Sequence, residues 1–590
     1  MMKKIISFVL VLAMVMSLAA CTKNADVTGR GTENTGTVTG AAAGKDETAA
    51  PVELVVYSQL ANYSGEQQGW SAKLLLDKFN VKITIIPDSD GVFDTRMESG
   101  TLGDIVVFGS TGNDYKRAIK SGMLLDWNKY NLLDNYGKDI RDNMAQALQA
   151  NRNLTSTITE GASDTLYGFG HSVALSNKSH EQFFYTWDIR WDLYKALGYP
   201  VVKNLDDLVT LFEQMKALCP TDENGNPTYA VSIWPDWDGN MVMYVKAFAT
   251  AYWGYDEMQL GIYDPDTGKM HDALEPDGPY LTSLKFFNTL YQKGLLDPNS
   301  MTQTYTEMIE KLKVGGIFFS IFDYAGSAGY NTDTHMADGK YMYTMVPEEA
   351  VPLCYGMSPY GGNRVWTIGA NTEHPELCMQ IINYLSTPDG YMEMLYGPKD
   401  VTWYYDETGH ACLTDFGVKC LNDKENTVMT EEEAGAYAGG TFHDGELQIN
   451  NITWSGNEIN PNTTGDTYDK KYWRSIANRI DYPIQQDWVD YNGAENVAEY
   501  MEHLKYRVAP ATEYNEAEMD DDFELIWKQV TTCIVDYSWK AIYAASDGEY
   551  NYYVNQMINT ANAYGYEQCR QWSIDEAAKR HAAEEAERNK

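Results

Sequence analysis

The chain contains 590 residues, with 84 acidic and 45 basic side chains and a formal net charge of -39 at pH 7. This charge argues against a nucleic-acid partner and against electrostatic docking on an anionic bilayer, because both need a surface rich in Lys and Arg. The length exceeds what one hydrophobic core usually holds, so we expect two or more lobes.

The N-terminus carries an export signal. Two lysines precede an apolar stretch, residues 5–20, which ends in small side chains directly before Cys21. This pattern is typical of a cleaved secretory signal rather than a membrane span. It resembles the lipobox of bacterial lipoproteins, which implies that Cys21 is lipidated and anchors the protein; an ordinary secretory signal is the alternative. Residues 22–50 are polar or small and predict a flexible tether, because they offer little apolar surface to bury.

Seven further cysteines are widely scattered and include no CxxC motif. They lie at Cys219, Cys354, Cys378, Cys412, Cys420, Cys533 and Cys569. This spacing indicates neither a disulfide framework nor a zinc site, so most should be small buried apolar residues. One pair, Cys412 with Cys420, could be bridged.

Strands and helices alternate in the first part of the mature chain. Residues 52–57, 81–86 and 104–108 are rich in β-branched side chains, and helical patterns separate them. This order predicts a parallel, doubly wound sheet of the α/β class. Ligands bind beyond the carboxyl ends of such strands. Four candidate binding residues follow from this rule, namely Ser58, Phe108, Asn113 and Asp114.

Several later elements have clear boundaries in the sequence. Asn204 is placed to cap a helix with an apolar stripe from Leu205 to Leu218, and a strand is expected at residues 228–233. A second helix should end near Gly294, and a third should begin at Pro375. The apolar stripes of these helices predict a hydrophobic core.

Five stretches of sequence occur in an order typical of one protein family. They are SGTLGDIV (residues 99–106), GMLLDW (122–127), IRWDLYKALGYP (189–200), LYQKGLLDP (290–298) and a segment from Ala370 to Leu385. With these motifs the chain resembles the extracellular solute-binding proteins of carbohydrate ABC transporters, in an enlarged Gram-positive lipoprotein subgroup. The resemblance covers about residues 50–400.

The resemblance implies a two-lobe, type II periplasmic-binding-protein fold, in which the chain crosses between the lobes near residues 170–185 and 355–368. The implied segments are signal 1–21, tether 22–50, lobe 1 51–183, lobe 2 184–364, a return to lobe 1 365–450, and mainly lobe 2 with C-terminal helices 451–590. In this fold the ligand contacts both lobes and favours their closure.

The aromatic content is consistent with a carbohydrate ligand. The chain has 43 Tyr and 15 Trp against 17 Phe, and Tyr and Trp combine a large apolar surface with a polar group. The resemblance places an aromatic–acid–aromatic loop, Trp234, Asp236 and Trp237, at the sugar cleft, with a structural loop as the alternative. It also places Phe322 and Asp323 at the end of a strand that reaches the cleft. Trp366 could face either the hinge or the cleft.

The sequence disfavours a calcium site. Asp222, Asn224 and Asn226 place oxygen atoms at alternate positions, as calcium loops do. Ala230 and Val231 stand where the resemblance would require further acidic ligands, so a polar turn is the better interpretation. We expect no cofactor.

Two classes of function remain open. The first is a lipid-anchored monomer on the extracellular face of the cytoplasmic membrane, which binds an oligosaccharide and delivers it to ABC transporter permease subunits without catalysis. The alternative is a secreted lipoprotein glycoside hydrolase, which would need two carboxylates at a fixed separation across a cleft. No hydrolase motif, GxSxG, HExxH or P-loop occurs in the sequence, so binding without turnover is favoured.

Overall fold

The computed structural model describes residues 50–589, apart from residues 90, 162, 163, 515 and 518. The export signal, Cys21 and nearly all of the tether lie outside the described residues. Within the described part, no helix is both long and apolar enough to cross a membrane.

The first segment of the folded chain alternates strands and helices. Its elements are β1 (Val52–Ser58), β2 (Gly65–Glu66), α1 (Gly69–Phe79), β3 (Val81–Pro87), α2 (Val92–Ser99), β4 (Ile105–Phe108), α3 (Asn113–Lys120), α4 (Leu132–Tyr136), α5 (Lys138–Asn143), α6 (Ala145–Ile158) and β5 (Gly168–Gly170). The predicted strands are confirmed, and β1 pairs in parallel with both β3 and β4. The helix after β1 ends at Asn80, whose left-handed φ of 51° stops it.

The second segment begins with a strand of a different sheet. Its elements are β6 (Tyr185–Arg190), α7 (Trp191–Ala196), α8 (Leu205–Leu218), α9 (Met243–Trp253), β7 (Asp256–Met258), β8 (Gly261–Tyr263), β9 (Met270–Asp272), α10 (Pro279–Gln292), α11 (Tyr305–Lys313), β10 (Phe319–Phe322), α12 (Ser327–Tyr330), α13 (Asp333–Ala337), β11 (Met342–Thr344) and β12 (Leu353–Tyr355). Asn204 caps α8 as predicted, because its side chain accepts from the Asp206 and Asp207 amides. Residues 228–233, expected as a strand, make only isolated bridges at Tyr229 and Val231.

Two more segments complete the fold. The third contains β13 (Val365–Ile368), α14 (Pro375–Tyr384), α15 (Pro388–Tyr396), β14 (Trp403–Tyr405), β15 (Ala411–Leu413), α16 (Asp415–Asn422) and α17 (Glu431–Ala434). The fourth contains α18 (Arg474–Ala477), α19 (Pro483–Asn492), α20 (Val497–Glu502), β16 (Arg507–Ala509), α21 (Asp521–Ile542), α22 (Asp547–Ala563) and α23 (Tyr566–Arg588).

Two sheets with separate cores define two lobes. Lobe 1 (residues 51–170 and 365–473) contains a six-stranded sheet of order β2-β3-β1-β4-β13-β5, and lobe 2 (residues 185–355 and 483–589) contains the sheet β10-β6-β11. Hydrophobic side chains cover both faces of the first sheet, and a larger core fills lobe 2. Trp454, Tyr468 and Trp473 pack in the core of lobe 1, so the return segment continues past the boundary expected at residue 450.

The first two connections between the lobes, residues 171–184 and 356–364, run side by side. The His171 amide donates to the Arg364 carbonyl at 2.8 Å, and the Ala174 amide donates to the Ser358 carbonyl at 2.9 Å. Their backbones touch at glycines, because a Cβ on Gly170 would lie 2.1 Å from the Gly362 oxygen. We call this pair of connections the hinge.

The seven described cysteines are free thiols, and five of them are buried. The prediction of buried apolar cysteines is therefore confirmed for most of them. Cys420 lies near the Met429 sulfur rather than in a disulfide with Cys412.

Candidate functional site

A row of aromatic rings lies on lobe 2 and consists of the exposed Trp237 and the partly buried Tyr305 and Tyr324. Trp237 is 47% exposed. Its ring centroid lies 4.9 Å from that of Tyr305 and 6.2 Å from that of Tyr324. The plane of the Trp237 ring is tilted by 33° to that of Tyr305 and by 58° to that of Tyr324, and each ring combines an apolar face with a polar edge.

Trp234 lies beneath this row and is fully buried. Its ring contacts Trp237 at 5.3 Å and Tyr305 at 5.2 Å between centroids. Of the two tryptophans in the predicted loop, the buried Trp234 therefore supports the row from below, and the exposed Trp237 forms part of its surface.

Asp236 fixes the position of the neighbouring Tyr305. Its carboxylate accepts a hydrogen bond from the Tyr305 backbone amide at 2.8 Å, where α11 begins. A carboxylate at a helix N-terminus satisfies an amide that has no partner within the helix. This contact holds the loop of Trp237 against α11.

A pinned turn carries Phe322, Asp323 and Tyr324 at the end of β10. The ring of Phe322 stacks on Tyr324 at 5.1 Å between centroids. The turn is held by Asp188 of β6, whose carboxylate accepts from the Ser327 amide at 2.7 Å and from the Thr344 hydroxyl at 3.1 Å. Burial raises the pKa of Asp188.

The aromatic row continues into a cavity between the lobes. Phe184, 52% exposed, contacts Phe322 edge-on at 5.9 Å between centroids. The cavity has a volume of about 480 Å³, within the range of about 300–1,000 Å³ typical of ligand sites. Residues from the hinge, lobe 2 and lobe 1 line it, namely Glu181, Gln182, Phe183, Phe184, Asp323, Tyr355, Asn457, Asp469, Lys471 and Tyr472. We call it the interlobe cavity.

An ion pair crosses this cavity from one lobe to the other. Lys471 of lobe 1 contacts the carboxylate of Asp323 of lobe 2. Burial alone lowers the pKa of Lys471, but Tyr472 and Asp323 outweigh it, and the net pKa is raised. The lysine therefore carries its charge at neutral pH.

The lobe 1 candidates lie at the carboxyl ends of β1 and β4, as the sequence predicts. Ser58 is buried and donates its hydroxyl to the Ile449 carbonyl at 2.7 Å. Phe108 is also buried and packs against Tyr115 at 5.2 Å between ring centroids. Neither side chain is exposed to a ligand in this conformation.

Asn113 and Asp114 begin α3 at the same edge of the sheet. Asp114 accepts a hydrogen bond from the Gln59 side chain at 2.8 Å, and Gln59 in turn accepts from the Gly109 amide at 3.0 Å. Asn113 is exposed and lines a second, larger space of about 1180 Å³ near the hinge. Gln59 links two predicted loops and was not singled out from the sequence.

Trp366 lies within β13 and is fully buried in the core of lobe 1. Its indole N–H donates to the Ile452 carbonyl at 2.8 Å. Trp366 was expected to face either the hinge or the cleft, but its side chain lies in the core of lobe 1 and is not exposed in the cleft.

Some residues of the site were not among the predicted binding residues, for different reasons. Tyr324 directly follows the predicted Asp323, so its position in the sequence was a usable signal. Tyr305 also follows a helix-capping threonine, Thr304. Lys471 and Tyr472 gave no signal, because only the return to lobe 1 brings them to the cavity.

The loop from Asp222 to Asn226 is a hydrogen-bonded turn. One oxygen of Asp222 accepts from the Asn224 and Asn226 amides at 2.9 and 2.8 Å. This is the Asx arrangement expected of a polar turn. Within the described ranges, no group of three or more His, Cys, Asp or Glu side chains is placed to hold a metal.

The fold and the cavity define a class of protein. Two α/β lobes joined by a hinge, with a lined space between them, are the architecture of two-lobe ligand-binding proteins. The sequence agrees, since the model of the bacterial extracellular solute-binding protein family matches residues 58–392, more than half of the chain. The chain belongs to this family.

Solved structures show the same fold at low sequence identity. An alginate-binding protein without calcium ion matches with a TM-score of 0.53 and 14% identity. The S. pneumoniae ABC-transporter substrate-binding protein FusA, in complex with kestose, matches with a TM-score of 0.54 and 14% identity. An extracellular solute-binding protein from Bifidobacterium longum subsp. infantis matches with a TM-score of 0.55 and 13% identity. Each match covers 90% of this chain and 99% of the other. The comparison with curated protein sequences gave no match.

Proposed function

We propose that this protein captures an oligosaccharide between its lobes and delivers it to the permease of an ABC transporter, without chemical turnover. The observation that carries the proposal is the row of aromatic rings formed by the exposed Trp237 and the partly buried Tyr305 and Tyr324. Ring contacts through Phe322 and Phe184 connect this row to the interlobe cavity. Sugar rings present apolar C–H faces to such a surface, and their hydroxyls suit the carboxylates and the lysine that line the cavity.

Ligands of proteins with a similar structure support this substrate class. The FusA structure is a complex with kestose, and another protein of this fold is an alginate-binding protein. Cys21 is the proposed lipid attachment site, which would hold the protein, as a monomer, at the extracellular face of the membrane. Among the predicted residues, Asp236, Trp237, Phe322 and Asp323 cluster at the proposed site, with Trp234 beneath them.

Calorimetry against a panel of oligosaccharides, with analysis of the recovered sugar, tests the proposal. Tight binding with recovery of the intact sugar is the expected result. Recovery of shortened sugar would establish a glycoside hydrolase instead, and absence of binding across the panel would overturn the proposal.

A further inference from the structure

The lining of the interlobe cavity contains more negative than positive side chains. Glu181, Asp323 and Asp469 contribute three carboxylates, whereas Lys471 is the single basic side chain among the described lining residues. Because Lys471 is paired with Asp323, its charge does not compensate the other two carboxylates.

Glu181 is the least compensated of these groups. It is partly buried at the lobe 2 end of the hinge, and within the described part of the chain its carboxylate has no basic partner and no hydrogen-bond donor. Burial raises its pKa, the direction expected where nothing stabilises the charge. The acceptor capacity of this carboxylate is therefore available to a ligand.

Tyr472, in the same lining, reports the local field. Its pKa is raised to about 12, mainly by burial; the charge of Lys471 lowers it, and the charges of Asp469, Asp323 and Glu181 raise it. Three carboxylates are therefore close enough to act on this phenol, against a single lysine that Asp323 already pairs. The carboxylates left unpaired repel a negatively charged ligand.

We propose that the interlobe cavity accepts uncharged sugar units and rejects uronic acids, with Glu181 as the residue that determines this preference. The inference rests on the proposed function. A neutral sugar can donate its hydroxyl protons to Glu181 and Asp469 in charge-assisted hydrogen bonds. A uronic acid replaces a hydroxymethyl donor with a carboxylate, so it loses a donor and adds repulsion.

The test uses the full chain and a matched pair of ligands. The tightest-binding neutral oligosaccharide from the calorimetric panel is compared with the same sugar oxidised to a uronic acid at C6. We expect the oxidised form to bind more weakly by about tenfold or more at low ionic strength. Equal or tighter binding of the oxidised form would overturn the inference and leave the proposed function standing, whereas a panel with no binder at all would overturn the proposed function itself.

A variant pair assigns the role of Glu181. Glu181→Gln keeps the size of the side chain and should reduce the preference for the neutral sugar by about tenfold. Glu213→Gln removes the same charge from the exposed surface of α8, where the carboxylate pairs with Lys293, and should leave the preference unchanged. Equal preferences in both variants would show that Glu181 does not set the selectivity, and the melting temperature of each variant verifies that it is folded.

Discussion

The carboxylate of Glu587, in the last turn of α23, accepts a hydrogen bond from the Tyr360 hydroxyl at 2.7 Å. Its other oxygen accepts from the Asn177 side chain at 2.6 Å. Asn177 and Tyr360 belong to the two connections that form the hinge. The helix α23 is fixed to lobe 2 by the contact of Arg580 with Asp256 at 2.6 Å. The Glu587 carboxylate therefore links both connections of the hinge to lobe 2.

Replacing Glu587 should loosen the hinge. In Glu587→Ala, we expect faster hydrogen–deuterium exchange in residues 171–184 and 356–364, because both strands lose an acceptor that holds them to α23. Glu585→Ala is the matched control, because it removes an exposed carboxylate whose ion pair among the described residues is with the nearby Arg588. Unchanged exchange in Glu587→Ala would show that the contact does not restrain the hinge.

The ion pair of Lys471 with Asp323 should favour approach of the lobes by a small amount. The lysine side chain is 50% exposed, and exposed pairs contribute about 0–1 kcal/mol. In Asp323→Asn we expect a modest shift to more open forms in X-ray scattering of the ligand-free protein. Glu433→Gln, which disrupts the exposed pair of Lys419 with Glu433 within lobe 1, should give the wild-type curve. X-ray scattering that shows a more closed form in Asp323→Asn than in the wild type would contradict the prediction.

The two tryptophans of the Trp234–Trp237 loop should give opposite results. Trp237→Ala should reduce affinity for the oligosaccharide about tenfold or more, since a central aromatic contact contributes about 2 kcal/mol, with little change in melting temperature. Trp234→Ala should lower the free energy of unfolding by about 3–5 kcal/mol, because it leaves a cavity in the core of lobe 2. Calorimetry and denaturant unfolding measure the two effects. Full affinity in Trp237→Ala would remove this ring from the site.

Folding stability should depend on pH through His171. Burial, and then the charge of Arg364, lower the pKa of His171 from 6.5 to about 4. The unfolded chain therefore takes up this proton first as the pH falls. The contribution of His171 to stability is complete above pH 6.5 and is lost progressively between pH 6.5 and 4, by an amount on the order of 3 kcal/mol.

The variant His171→Asn isolates this contribution from the many carboxylates that titrate in the same range. The amide of Asn can accept the Arg364 backbone N–H, which now donates to the imidazole at 3.3 Å, but it takes up no proton. Urea unfolding at several pH values should show a shallower loss of stability in the variant than in the wild type. Parallel curves would contradict the assignment.

Much of the local structure could be predicted because it follows from neighbouring residues. The strand from Val52 to Ser58 follows from its own run of β-branched and apolar residues. The helix cap at Asn204 needs only the backbone amides two and three residues further along the chain. Residues 228–233 were harder, since a strand exists only where a partner strand lies alongside. That segment meets its neighbours at single bridges.

The sequence by itself determined the export signal as an expectation, the alternating α/β pattern and the family, because each depends on the order of residues along the chain. The tertiary structure decided which rings are exposed and which charges meet. Trp234 and Trp237 have the same side chain three positions apart, and only packing buries the first and exposes the second. Lys471 reaches Asp323 across 148 positions of sequence, because the chain returns to lobe 1 before its final segment, and no local pattern encodes that approach.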